Sequence, residues 1–358
     1  MKAIVFYNVG DIRFEPNWPE PRPLKPDEVR IATDWCGICG TDMEDYKTGA
    51  IIPVGKPHPV SGRMAPMVIG HEYSGRVMEL GSEVKGLKIG QRVAIECLRV
   101  CGHCFWCKRG EYAACLNQVS IGQVDDGGMA DCFNVPAMNC IPIPDSLPAD
   151  AAALAEPLAV MVRGVQKGRV QVGDIVTIIG AGAIGLCGIA AARLAGASQV
   201  IALTHGGNRA EAARQMGAST VLDTREDYWK EAFYDLTHGL GSDVVIEACA
   251  NLAGMREAVE LTRRQGRCVF SSVINADVSL NAFDIMFKEK EIIGTDAHQA
   301  DREFLWAVQF LADGRIDVKP IITSRIYIAD AVEMGFNRLL TDRSQIKILV
   351  TPHKDLVK

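Results

Sequence analysis

Four cysteines fall within one short stretch: Cys101, Cys104, Cys107 and Cys115, spaced C-x2-C-x2-C-x7-C. Glycine and small turns lie between them. Four thiolates at such spacing can close a tetrahedral zinc site that keeps no open position. The pattern predicts a structural zinc that stiffens a loop, rather than a set of reduced surface cysteines. Cys97 lies just outside the pattern and His103 inside it. Four ligands already saturate such a site, so both are expected to be spectators.

Three other segments set polar residues in apolar or glycine-rich surroundings: Cys36-Gly-Ile-Cys39-Gly-Thr41-Asp42, Gly70-His71-Glu72 and Ala155-Glu156-Pro157. Taken singly, a His or Glu near a strand is an ordinary hydrogen-bonded polar group. Taken together, they supply thiolate, imidazole and carboxylate. That is the three-ligand set of a catalytic zinc, which leaves a position for water or substrate.

A third stretch runs IVTIIGAGAIGLCGIAAARLA, from Ile175 to Ala195. The apolar run Ile175–Ile179 is too short for a helix. It breaks at Gly180-Ala181-Gly182-Ala183-Ile184-Gly185, a GxGxxG, and continues in a small-residue helical pattern. In this strand–turn–helix context, Gly180 permits the turn and Gly182 admits a pyrophosphate. Gly185 lets helix and strand pack, and the helix N-terminus offers its N–H groups to the phosphates. The context predicts dinucleotide binding rather than a chance glycine turn. The three glycines, Arg193 within the stretch and Asp174 before it argue against a membrane span.

The elements that must position these groups change character along the chain. Its 358 residues suggest two domains. Residues 1–150 read as β-rich, with short runs such as Ala3–Phe6, Glu28–Thr33, Tyr73–Met78 and Arg92–Ile95 between Pro and Gly punctuation, and no long amphipathic helix. Pro142, Pro144 and Pro148 mark a boundary. A helix is expected over Ala151–Arg163. Strands then alternate with helices: Ile175–Ile179, Val200–Leu203, Thr220–Leu222, Val244–Ile246 and Cys268–Ser271, with helices near Ile184–Ala195, Arg209–Met216, Asp227–Leu236 and Ala253–Arg264. That alternation predicts an α/β fold with a doubly wound parallel sheet. A helix over Arg302–Ala312 and strand pieces ending at Lys347–Val350 close the chain.

A net charge of −6 argues against nucleic-acid or anionic-membrane partners. The chain begins without an apolar signal region, so the cytoplasm is the expected location. In that compartment, twelve cysteines point to metal ligands before disulfides.

The order GICGTD, GHE, four-cysteine lobe, EPLAV and GAGAIG resembles the zinc-dependent medium-chain dehydrogenase/reductase superfamily over essentially the whole chain, including Ile346–Pro352. Within it, the chain resembles the polyol and diol branch of butanediol, sorbitol and threonine dehydrogenases. WCGICGTD and the insert from His58 to His71 carry that likeness. The resemblance implies a GroES-like, β-rich catalytic domain over 1–150 and 297–358, and a Rossmann domain over 151–296. It implies that Cys39, rather than Cys36, binds the catalytic zinc with His71 and Glu156. Glu72 would be a carboxylate able to ligate or to exchange with substrate. Two zincs per chain are expected.

The implied reaction moves a hydride between the secondary alcohol of a small polyol, diol or sugar-like substrate and a nicotinamide cofactor. Aldose and threonine dehydrogenases of the same family are alternatives. Beyond these stand a zinc-free reductase of the same fold and a non-catalytic NAD(P)-binding protein. Thr41 matches the hydroxyl that takes the alcohol proton. Glu44 stands where many relatives carry a histidine that delivers it to solvent. NAD enzymes place an acid at the end of the second strand of the Rossmann sheet. Here Val200–Leu203 is followed by Thr204, His205, Gly206, Gly207, Asn208 and Arg209. With no acid present, and His205, Asn208 and Arg209 able to contact a 2′-phosphate, NADP is expected over NAD. The family forms homodimers and homotetramers, and one of these is expected.

Overall fold

A computed structural model describes residues 1–357, which divide into two compact units. The first comprises Met1–Glu156, Gln299–Gly314 and the chain from Ile322 on; the second comprises Pro157–His298 and Arg315–Ile321. The division falls inside the helix Ala155–Lys167. The single helix expected over Ala151–Arg163 is two, Ala149–Ala152 and Ala155–Lys167.

In the first unit the organising element is the strand Glu28–Gly37, whose sequence EVRIATDWCG supplies β-branched and aromatic residues to a buried surface. It pairs antiparallel with Glu72–Leu80, Cys132–Pro136 and Lys347–Thr351. In this register Gly37 faces Glu72 on one side and Leu349 on the other. A Cβ at Gly37 would fall on Glu72 Oε2, so only glycine leaves room for that carboxylate. The chain then turns at once into a helix, Gly40–Thr48, in a half otherwise read as β-rich. Nine residues are too few to give a clear helical period. The helix starts instead on a local bond, the Cys39 N–H donating to Asp42 Oδ2 at 2.8 Å.

The second unit holds a six-stranded, all-parallel sheet in the order Thr220–Asp223, Gln199–Thr204, Ile175–Ile179, Ser242–Glu247, Thr262–Phe270, Glu291–Gly294. This is the doubly wound arrangement of a Rossmann fold. One side of the sheet packs Ile201, Leu203, Phe233, Val245 and Leu261 into a fully buried cluster. Several boundaries differ from the periodicity: the strand expected over Cys268–Ser271 is Thr262–Phe270, that over Val244–Ile246 is Ser242–Glu247, that over Thr220–Leu222 runs on to Asp223, and the helix near Asp227–Leu236 starts at Trp229. The second strand continues one residue past Leu203, to Thr204. The helix expected over Ala253–Arg264 is Leu252–Leu261, and the next strand begins at Thr262. Arg263 is drawn into that strand by an ion pair with Asp243 Oδ1 at 2.6 Å, a contact invisible to helical period. Among the described residues no helix is long and apolar enough to cross a membrane.

Candidate active site

The four cysteines of the lobe converge. The Cys101 sulfur lies 3.6 Å from that of Cys115 and 4.0 Å from that of Cys107, and all four ligand atoms lie within 4.8 Å of one another. A tetrahedron of sulfurs at about 2.3 Å from zinc has edges of about 3.8 Å, so the lobe fits the ion. The thiols are not equivalent. The His103 backbone N–H lowers Cys101 to about 6, while burial, then the neighbouring thiols, push Cys107 up to about 12. The lobe is anchored to the segment Gln299–Gly314 of its own unit: the Tyr112 N–H donates to Gln299 Oε1 at 2.7 Å, and Arg302 donates to the Gly110 carbonyl at 2.7 Å.

The second cluster is Cys39, His71 and Glu72, again with ligand atoms within 4.8 Å of one another. Cys39 precedes the helix Gly40–Thr48, and His71 and Glu72 lead into the strand paired with Glu28–Gly37. Cys36 is fully buried, and burial raises its thiol well above the usual range, which disfavours a thiolate there. Thr41 Oγ1 lies 3.3 Å from His71 Nε2, and Asp42 Oδ1 lies 3.5 Å from His71 Nδ1. Burial works against a charge on His71, but Asp42 and Cys39 beside it raise its pKa well above the usual value. A thiolate, an imidazole and a carboxylate in one buried corner are a donor set suited to a divalent transition metal.

Glu156 lies in the first turn of the helix Ala155–Lys167 and is buried. It is outside the tight three-residue cluster, yet it feels the charges of His71, Glu72, Lys347 and Asp42. Burial first, then Glu72 and Asp42, raise its carboxyl to about 7. Glu44 is exposed on the helix Gly40–Thr48, where its Oε1 accepts from the Thr48 hydroxyl at 3.3 Å.

In the second unit the GxGxxG adopts the turn its sequence requires. Gly180 has φ +98°, and a Cβ at Gly185 would fall on the Gly180 carbonyl. Gly182 precedes the helix Ala183–Leu194, of which Ala183 and Ile184 form the start. Thr204 ends the second strand and is buried, while His205 and Asn208 are exposed. Arg209 turns back to the glycine loop: its Nη1 lies 3.4 Å from the Ala181 carbonyl, to which it donates, beside Gly182.

Comparison with known proteins meets the same two parts. Residues 25–145 match an alcohol dehydrogenase GroES-like domain, and residues 183–313 match a zinc-binding dehydrogenase domain. The (R,R)-butanediol dehydrogenase of Bacillus subtilis is 33% identical, covering 99% of this chain and 100% of its own. This chain belongs to the zinc-dependent medium-chain dehydrogenase superfamily. A sorbitol dehydrogenase of Bacillus subtilis is 31% identical over 99% of this chain and 98% of its own. Among solved structures, 2R,3R-butanediol dehydrogenase from Bacillus subtilis superposes with a TM-score of 0.90 at 32% identity, covering 98% of this chain and 99% of the other. A zinc-binding dehydrogenase from Sinorhizobium meliloti bound to NADP gives 0.87 at 30% identity, with coverage of 98% and 99%. The chain is therefore a zinc-containing dehydrogenase that uses a nicotinamide cofactor on a small molecule.

Two further residues hold the dehydrogenase site, Asp42 within the GICGTD motif and Lys347 outside every motif. Asp42 bonds the Cys39 N–H and faces the His71 ring, so one carboxylate orients two members of the cluster. Its place three residues after Cys39 was a legible capping signal. Lys347 had no such signal. Its ammonium donates to Glu72 Oε1 at 2.7 Å, to Oε2 at 2.6 Å and to the Ile38 carbonyl at 3.0 Å. Both members of this ion pair are almost wholly buried. Despite burial, Glu72 and Cys39 raise the lysine's pKa.

Proposed function

We propose that this dehydrogenase interconverts the secondary alcohol of a small diol or polyol and the corresponding carbonyl, preferring NADP, with one zinc held by the four-cysteine lobe and a second held by Cys39, His71 and Glu156. Glu72 is the carboxylate that exchanges at that second site. The observation that carries this reading is the buried corner of Cys39, His71 and Glu72 with Glu156 close enough to share its charge. One thiolate among carboxylates and an imidazole is a hard donor set, suited to oxygen ligands such as a diol. The butanediol and sorbitol dehydrogenases to which the chain is similar support the same substrate class.

When bound, zinc supplies a Lewis acid that lowers the pKa of the substrate hydroxyl, and the nicotinamide supplies the hydride acceptor. The chain's own residues move the proton and hold the geometry. Thr41 Oγ1, at 3.3 Å from His71 Nε2, would relay the proton, accepting that of the substrate hydroxyl while giving up its own toward Glu44. Glu44, three residues on along the same helix and exposed, passes it to water. Asp42 keeps the His71 ring oriented, and Lys347 holds the Glu72 carboxylate. On the cofactor side the strand ends in Thr204, which neither accepts two bonds from an NAD ribose nor repels the 2′-phosphate of NADP. A similar dehydrogenase crystallised with NADP supports this preference.

The test is kcat/KM for NADP and for NAD, with 2,3-butanediol, sorbitol, threonine and aldoses, on wild type and Thr204→Asp. NADP should be preferred, and Thr204→Asp should move the preference toward NAD. A tenfold preference of wild type for NAD would overturn the cofactor assignment. Zinc-dependent turnover of threonine or aldoses alone would overturn the substrate class.

A further inference from the structure

The end of the second Rossmann strand lacks an acid, but the neighbouring strand brings one to the same place. Thr204 is in register with Asp223, the last residue of the strand Thr220–Asp223. Asp223 does not present a free carboxylate. Its Oδ1 accepts from Arg225 Nε at 2.9 Å and from the Arg225 backbone N–H at 3.0 Å, and its Oδ2 accepts from Arg225 Nη2. The guanidinium therefore lies side-on against the carboxylate. These bonds use Nε and one edge of Nη2, and the other edge stays open on a side chain that is 63% exposed. The turn that follows the second strand passes directly over this pair. A Cβ built on Gly206 would come within 2.5 Å of Asp223 Oδ2 and 2.7 Å of Arg225 Nη2, and the residue has φ +71°. Glycine is thus what lets the turn approach the ion pair.

A dinucleotide on this fold sets its adenosine ribose at the end of the second strand. We infer that Arg225, held by Asp223 beneath Gly206, is the residue that binds the 2′-phosphate of NADP. This rests on the NADP preference proposed above. A guanidinium docked on one edge keeps the planar fork that suits bidentate phosphate binding on the other. The acid beside it is already matched by Arg225, so it neither receives the ribose diol of NAD nor repels the phosphate; that charge match holds the Asp223 carboxyl down at about 2.

The experiment measures binding of two fragments, adenosine 2′,5′-bisphosphate and 5′-AMP, by calorimetry on the zinc-loaded chain. Wild type should bind the bisphosphate more tightly. Arg225→Gln should weaken the bisphosphate by about tenfold to a hundredfold, the range of one or two charged hydrogen bonds, and leave 5′-AMP within about twofold. Arg225→Lys should recover part of the loss. An unchanged thermal midpoint on substitution shows that the fold is intact. If wild type prefers the bisphosphate and Arg225→Gln keeps that preference, the assignment of Arg225 is overturned while the NADP preference stands. If wild type does not prefer the bisphosphate, the NADP preference itself fails and this inference falls with it. Equal weakening of both fragments would show Arg225 to be a structural residue of the turn, which also overturns the assignment.

Discussion

The buried pair of Lys347 and Glu72 makes a strong prediction about stability. Substituting Lys347→Met keeps the length and apolar stem of the side chain but removes the ammonium. The lysine is 3% exposed and the glutamate 0%, so the stranded carboxylate has no water to turn to. Breaking a buried pair by removing one partner costs about 3–5 kcal/mol. The ammonium also satisfies the Ile38 carbonyl, and leaving a buried acceptor unmatched costs about 1–3 kcal/mol. The contributions overlap, so a loss near the upper end, about 5 kcal/mol, is expected in metal-free protein. Adding Glu72→Gln removes the stranded charge and should return most of it. Zinc should also return part of the loss in the single variant, because a carboxylate beside Cys39 and His71 can match its charge on the ion.

The assay is urea unfolding of metal-free and zinc-loaded protein, with hydrogen exchange over Lys347–Thr351 reporting the strand itself. A metal-free Lys347→Met protein within about 1 kcal/mol of wild type would refute the reasoning, since a buried pair cannot be broken so cheaply. A double variant as unstable as the single one would refute it too, by showing that packing rather than stranded charge sets the loss.

Metal analysis should find two zincs per chain, with chelation removing activity before fold; Cys104→Ser should lower stability and yield, whereas Cys39→Ala should leave a folded, cofactor-binding, inactive protein. Active protein without zinc would contradict this. Thr41→Val should cut turnover by about 10²–10⁴-fold, as loss of a proton-transfer group does. Glu44→Gln should act less and mainly on the pH–rate profile; overlaid profiles would exclude that carboxylate from the proton path. Outside both ligand clusters, burial alone would raise Glu28, but Arg22 at 2.6 and 2.7 Å and the Lys25 N–H outweigh it and hold its pKa below the usual value. A lowered folded pKa gives stability that is full above the unfolded value, about 4.3, and is lost as pH falls through the folded one. Arg22→Ala should therefore destabilise the protein at neutral pH and shrink the further loss on acidification, read from urea midpoints between pH 3 and 7; parallel pH curves would count against the pair.

The parts that were legible in the sequence are those whose signal is local. The apolar run Ile175–Ile179 meets its GxGxxG within six residues, and the four-cysteine lobe is one short stretch. What was not legible depends on pairing between distant strands. Lys347 reaches Glu72 across 275 residues of chain, and nothing in Ile346–Pro352 marks a lysine that belongs to the cluster rather than to the surface. Arg225 follows a strand that periodicity placed at Thr220–Leu222, one residue short of Asp223, and its place beside Gly206 comes from the register of Thr204 with Asp223, which no single segment encodes. The helix Gly40–Thr48 shows the intermediate case. Its period is too short to read, yet the Asp42 carboxylate that starts it lies within the GICGTD motif.

Glu72, inside the three-residue cluster, and Glu156, outside it, resemble each other in the sequence and differ in the structure because of what neutralises them. The charge of Glu72 is matched by a buried ammonium, in a space that exists only because residue 37 is glycine. The charge of Glu156 is opposed by burial and by Glu72 and Asp42, so its carboxyl is raised to about 7. An incoming divalent ion therefore meets two different costs. At Glu156 it displaces a proton that is half-bound at neutral pH, a modest cost. At Glu72 it competes with two short charged bonds from Lys347, a larger one. This difference is what the proposed roles expect, with Glu156 the resident ligand and Glu72 the carboxylate that exchanges while Lys347 holds it in a buried ion pair.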